Sequence, residues 1–165
     1  MALATAAAPT YFASAKVGTM IAESAYFDGG VWANSPVMAA ILEAVCYLGV
    51  PLDRIDVLSV GTTSEPFTAR RKSNAGIAGW AWKSAIIELL MNVQVESGLK
   101  HARLLAGEPR FLRVNVVTPP GAYTLDSPKE IGELASLGNI EGAKPELLGQ
   151  VGSRFLNGVR VAAWR

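Results

Sequence analysis

The chain has 165 residues, a formal net charge of +1 and a hydrophobic share of 50%. That is enough for one domain with a real core, and it excludes a disordered chain. The near-neutral balance excludes a global field drawing the protein to nucleic acid, so no nucleic-acid partner is expected.

One cysteine, Cys46, and one histidine, His101, exclude an internal disulfide framework. They also leave too few ligands for a zinc centre, which needs about four. No metal and no cofactor is expected. Cys46 sits in an apolar helical pattern and reads as a small core residue. His101, between Lys100 and Arg103, reads as a surface residue helping to cap a helix end.

At the amino terminus, Met1 to Pro9 contains an Ala-x-Ala pattern, yet the first basic residue is Lys16 and no run of strong hydrophobes precedes it. A signal peptide is not expected. The most apolar window, 77–95, is broken by Lys83, Glu88, Asn92 and Gln94, so a transmembrane helix is not expected either. The expected location is cytoplasmic or on a membrane surface.

Three segments read as strands: 25–27, 54–61 and 111–117, the last stopping at Pro119-Pro120. The second is a mostly apolar run, as expected of a strand covered on both faces of a parallel sheet. Between them lie helices. Ser35-Pro36 offers an N-cap and a proline at the first helical position. Val37, Ala40, Ile41, Ala44, Val45 and Leu48 then form one apolar face, and Gly49 ends it. A longer helix is expected over 79–93, with Ser97-Gly98 breaking it before a further piece to Leu105. Ser127-Pro-Lys-Glu130 has the form of a capping box opening a helix through Leu137. A last helix is expected over 145–156. Strands alternating with helices make the class α/β.

The stretch Phe27-Asp-Gly-Gly-Val-Trp-Ala-Asn-Ser-Pro36 carries the candidate chemistry. Asp-Gly-Gly is a common turn former, since glycine accepts positive φ and Asp bonds its own backbone. An aspartate at the carboxyl end of an α/β strand also lies where ligands and catalytic groups gather. The glycines beside it leave room for a substrate or another backbone.

Ala4-Thr-Ala-Ala-Ala-Pro-Thr-Tyr-Phe12, followed by Asp28-Gly-Gly-x-x-Ala-Asn34-Ser35-Pro36, resembles the carboxyl-terminal half of the patatin-like phospholipases. Ile55-Asp-Val-Leu-Ser-Val-Gly-Thr62, Phe111-Leu-Arg-Val-Asn115 and Leu125-Asp-Ser-Pro128 resemble later segments of that domain. The resemblance implies that residues 1–165 form the carboxyl-terminal portion of one such domain. It implies a partial three-layer sheet, related to the α/β-hydrolases, with helices on both faces.

The family is known for lipid acyl hydrolysis by a Ser-Asp dyad. By this resemblance Asp28 is the general base, Asp28, Gly29 and Gly30 are the motif, and Asn34, Ser35 and Pro36 form the supporting turn and helix cap. Pro9, Tyr11 and Phe12 are candidates for the substrate pocket. Ser35 departs from the family, which has a second Asn there. The substrate implied is a lipid or other acyl ester.

The sequence contains no Gly-x-Ser-x-Gly. Ser59 lacks the first glycine and falls inside a strand, and Ser153 falls in a helix. The nucleophile and the glycine-rich oxyanion loop are therefore not expected within these residues, and the chain by itself is expected to be inactive. Two other readings compete. One is a non-catalytic lipid- or membrane-binding module, with Trp80, Trp82, Ile86 and Leu90 beside Lys83 and the basic run Arg70, Arg71 and Lys72 on a membrane surface. The other is a subunit completing a partner chain that carries the serine half.

Overall fold

The computed structural model describes residues 2–9, 12–18, 23–66, 85–123 and 128–156. It is a mixed α/β structure, and its described residues group into two compact units. One holds the chain up to Leu52 together with the helix up to Leu105; the other holds Asp53–Pro66 and the chain from Ala106.

The first unit opens with a single helical turn, α1 (Ala2–Thr5), followed by β1 (Ala15–Gly18) and β2 (Glu23–Tyr26). β1 and β2 pair antiparallel, Ala15 opposite Tyr26 and Gly18 opposite Glu23. A Lys16–Glu23 ion pair spans the ribbon at 3.2 Å. A strand is expected at 25–27, which β2 overlaps, but none at 15–18. Ala-Lys-Val-Gly is too short and too weakly alternating to show periodicity, and its exposed faces leave no apolar pattern to read.

After the Asp-Gly-Gly turn come α2 (Gly30–Ala33) and α3 (Val37–Leu42), the latter continuing as a π-helical turn over Glu43–Tyr47. Val37 and Ile41, one helical turn apart, are buried. The remainder of the expected face is not: Val45 is exposed, and so is Leu48. The π turn inserts an extra residue per turn, which rotates the following positions off the α-helical stripe. Cys46 is accordingly exposed rather than a core residue. Gly49 ends the segment at φ +64, as its position after the last apolar residue requires.

The long helix α4 (Ala85–Ala106) runs without a break through Ser97-Gly98. Glycine inside a helix costs about 1 kcal/mol relative to alanine, too little to interrupt a helix of 22 residues. A Cβ at Gly98 would lie 3.7 Å from the Ser35 carbonyl oxygen and 3.9 Å from Val37 Cγ1, ordinary van der Waals distances, so α4 passes near the start of α3 there. His101 therefore lies inside the helix, not at its end. Trp80, Trp82, Lys83 and the basic run 70–72 lie outside the described residues, as does the start of the expected helix at 79–84. Ile86 is described only as part of the backbone of α4, and Leu90 is exposed.

The second unit holds β3 (Val57–Val60) and β4 (Phe111–Val114), paired parallel with Val57 opposite Phe111 and Val60 opposite Val114. Parallel pairing requires a crossover rather than a tight turn, and the connection between the two strands contains α4. Val57 and Phe111 are buried, whereas Val60 is 69% exposed. β3 is thus covered at its start only, and the expected double-sided burial is not found.

A side-chain network ties the two strands. Arg113 Nη1 donates to Ser59 Oγ at 2.8 Å, and Asn115 Nδ2 donates to Ser64 Oγ at 2.8 Å. Arg110 Nε donates to the Ala106 carbonyl at 2.6 Å, and its Nη1 donates to the Asp53 carbonyl. Helices α5 (Ile131–Gly142) and α6 (Pro145–Val151) follow, α6 passing into a π turn over Gly152–Leu156. The last of these matches the expected helix over 145–156. The expected capping box rests on Ser127, which lies outside the described residues; Pro128–Glu130 is a 3-10 turn, and Glu130 at the N-cap of α5 makes no side-chain capping bond.

Candidate functional site

Asp28 follows β2 by two residues and is held on both sides. Its amide donates to the Ala7 carbonyl at 3.0 Å, and its own carbonyl accepts from the Val31 amide at 3.2 Å. Ala7 is buried and belongs to the Ala-rich segment that ends in Pro9. The first of these bonds brings together the two stretches on which the family resemblance rests.

The Asp28 carboxylate is half-buried. Oδ1 accepts a 2.7 Å hydrogen bond from the Gly30 amide, an Asx turn that orients the carboxylate. Among the described residues, Oδ2 has no hydrogen-bond partner. One oxygen is thus fixed by the backbone of its own turn.

The two glycines differ in role. A Cβ at Gly29 would meet nothing within 4 Å, whereas one at Gly30 would lie 3.2 Å from Asp28 Oδ1 and 3.4 Å from Asn34 Oδ1. Of the two, only Gly30 lies in close approach to other groups. Asn34 is the C-cap of α2, and its amide oxygen stands on the same side of Gly30 as the carboxylate.

Ser35 does not cap α3. The N-cap is Pro36, with no side-chain capping bond, so the Ser-Pro pair sits one position earlier than expected. Pro9 is half-buried, Phe12 is exposed with its amide bonded to the Ala8 carbonyl at 2.9 Å, and Tyr11 lies outside the described residues. Around Asp28 the surface is rich in exposed aromatic groups: Trp32 at 77%, Phe12 at 63% and Phe27 at 57%.

Neither serine weighed as a nucleophile stands on a strand-to-helix elbow. Ser59 Oγ accepts from Arg113, and Ser153 Oγ donates to the Gln150 carbonyl at 3.3 Å. A Ser-His contact that sequence reasoning missed lies on α4, where Ser97 Oγ and His101 Nδ1 are 3.4 Å apart on an exposed face. The i, i+4 spacing was its legible signal. At that separation the pair is looser than a working nucleophile–base contact of about 2.6–3.2 Å. Among the described residues no group of three or more His, Cys, Asp or Glu could hold a metal ion, and no helix is long and apolar enough to cross a membrane.

A separate, wide-open surface groove of about 360 Å³ lies in the second unit, lined by Tyr123, Gly132, Glu133, Ser136, Leu137 and Ile140. Desolvation raises the Tyr123 pKa above its ordinary value, and the Glu133 carboxylate adds to this by its charge and by accepting the phenol hydrogen bond, with a smaller push from Glu130. The phenolate is the charged form, so the folded state binds this proton more tightly than the unfolded state. Its contribution to stability is full below the ordinary value near 10 and is lost as pH rises through the raised value. In an absorbance titration of the folded protein, Tyr123 is expected to ionise at higher pH than a free tyrosine. Tyr123→Phe should remove that late component and leave the remaining tyrosine signal in place.

Comparison with known proteins gives partial matches. The chain is 45% identical over 60 residues to the "Putative sporulation hydrolase CotR" of Bacillus subtilis, covering 36% of this chain and 18% of that protein. It is 30% identical over 102 residues to the cGAMP-activated phospholipase of Pseudomonas aeruginosa, covering 61% of this chain and 29% of that protein. The chain thus spans less than a third of either curated relative it matches. No protein-family profile matches, and no solved structure matches. The similarity to a phospholipase and to a sporulation hydrolase points in a hydrolase direction.

Proposed function

We propose that the chain is the aspartate-bearing, carboxyl-terminal portion of a patatin-like lipid acyl hydrolase, with Asp28 as general base. The observation that carries this reading is the Asp28 carboxylate itself: one oxygen is pinned by the Gly30 amide at 2.7 Å, and the backbone is bonded to the Ala-rich segment through Ala7. The partial similarity to a phospholipase supports the same class.

In this reading the nucleophilic serine and the oxyanion donors come from outside these 165 residues, in a partner chain or a further segment. As the serine hydroxyl attacks an ester carbonyl, its proton passes to Asp28 Oδ2. The proton then goes to the departing alcohol, leaving an acyl-enzyme that water hydrolyses with Asp28 again as base. A carboxylate with a reference pKa of about 4 is a weak base, so the chemistry relies on alignment and on oxyanion stabilisation.

The test has two arms. The purified chain should leave a short-chain nitrophenyl ester at the background rate and take up no fluorophosphonate label. Combined with a segment carrying Gly-x-Ser-x-Gly, it should gain turnover that depends on Asp28 and not on His101. Turnover by the chain alone that survives Asp28→Ala would sink the assignment.

The second reading, a lipid-surface module, is favoured by the exposed Trp32, Phe27 and Phe12 beside the turn, since aromatic side chains settle at membrane interfaces. It expects flotation with phospholipid vesicles that weakens in Trp32→Ala. Absence of flotation on neutral and anionic vesicles alike would remove it. The two readings are compatible if the surface delivers the substrate.

A further inference from the structure

We infer that Gln94, on α4, is a positioning residue for Asp28. This inference rests on the reading of Asp28 as the base. α2 has only four residues, so all its carbonyls belong to the last turn of a helix, where intrahelical donors run out. The Val31 carbonyl instead accepts from Gln94 Nε2 at 3.1 Å, across 63 positions of sequence.

Val31 is also the residue whose amide holds the Asp28 carbonyl, at 3.2 Å. One peptide unit on each side of Val31 thus links α4 to the Asp28 backbone. From there the 2.7 Å Gly30–Oδ1 bond sets the direction of the carboxylate.

The Gln94 carboxamide can make this bond in one orientation only, because a carbonyl oxygen cannot donate. In that orientation Oε1 is sealed from water with no hydrogen-bond partner among the described residues. An apolar side chain of similar size would fill the space without that desolvation penalty. What the glutamine adds is a directed donor. One turn further along α4, a Cβ added at Gly98 would lie 3.7 Å from the Ser35 carbonyl oxygen, so the helix also passes near the segment after Asp28 there.

The test uses isotope-labelled 165-residue chain in solution, with Gln94→Met, Gln94→Glu and Gln94→Lys compared at one pH. Met removes the donor, Glu replaces it with an acceptor, and Lys keeps a donor on a flexible stem. In Met and Glu the Gly30 and Val31 amides are expected to exchange about five- to tenfold faster, the loss of one hydrogen bond. The Asp28 13Cγ resonance should move in both. Thermal midpoints should shift by only a few degrees, and Lys should return the amides and the 13Cγ resonance toward wild type.

Unchanged Gly30 exchange and an unchanged Asp28 resonance in Glu would overturn the inference. So would a Lys variant as altered as Glu, and this comparison stands even if Met does not fold. Because the readout is spectroscopic and in the chain alone, it is independent of ester turnover. Failure of Asp28→Asn to affect activity would refute the base, while failure here would refute only the positioning.

Discussion

Asp28→Asn is expected to lower kcat for ester hydrolysis, in the enzyme completed by its serine-bearing part, by about 10²- to 10⁴-fold, the usual worth of a general base. The substitution is nearly isosteric. The amide oxygen of asparagine can still accept the Gly30 amide bond now made to Oδ1 at 2.7 Å, and the Ala7 and Val31 backbone bonds do not involve the side chain. The turn should keep its shape while losing the group that takes up the serine proton. KM should therefore change little, and the loss should fall on kcat. Asp28→Ala removes the turn's side-chain bond as well and should also loosen the Gly30 amide. An asparagine variant with wild-type kcat in the completed enzyme would show that the proton goes elsewhere.

The second large effect is expected at Gly61, for stability rather than chemistry. Gly61 follows β3, and its amide donates to the Val114 carbonyl at 2.8 Å. A Cβ there would overlap Asn115 Oδ1 and the Arg113 guanidinium, whose Cζ would stand only 2.9 Å away. These groups cannot swing aside freely: Arg113 is bonded to Ser59, and Asn115 to Ser64.

Gly61→Val should cost about 1–3 kcal/mol, the range for forcing extra atoms into a packed site. It would be read as a fall in the urea midpoint with an unchanged slope. In an Asn115→Ala background part of the penalty should disappear, since one overlapping atom is gone. A full penalty there would place the strain on Arg113 alone.

The sequence was most informative where a local rule had no competitor. Gly49 ends its helix because no other nearby residue accepts positive φ so cheaply, and Pro145 opens α6 because its missing amide is no loss in a first turn. It misled where a local signal was weaker than the structure around it. Ser97-Gly98 reads as a break, yet α4 continues through it, because one glycine costs only about 1 kcal/mol within a helix of 22 residues. Cys46 reads as core on a 3.6-residue stripe, but the π turn carries it to the surface. The ribbon strand Ala15–Gly18 left no apolar alternation, because neither of its faces is buried.

What the sequence determined by itself is the chemistry on offer. Asp28 stands between two glycines and an aromatic strand, the chain holds a single histidine and a single cysteine, and no Gly-x-Ser-x-Gly accompanies the aspartate. These are matters of which functional groups exist, and composition settles them. What only the tertiary structure decided is how the aspartate is held: that Gly30 rather than Gly29 lies close to the carboxylate, that Ala7 bonds the Asp28 backbone, and that Gln94 reaches the Val31 carbonyl from 63 residues away. Such contacts depend on where distant segments meet. No local period or propensity encodes that meeting, because its free energy comes from hydrogen bonds and burial that exist only once the chain has folded.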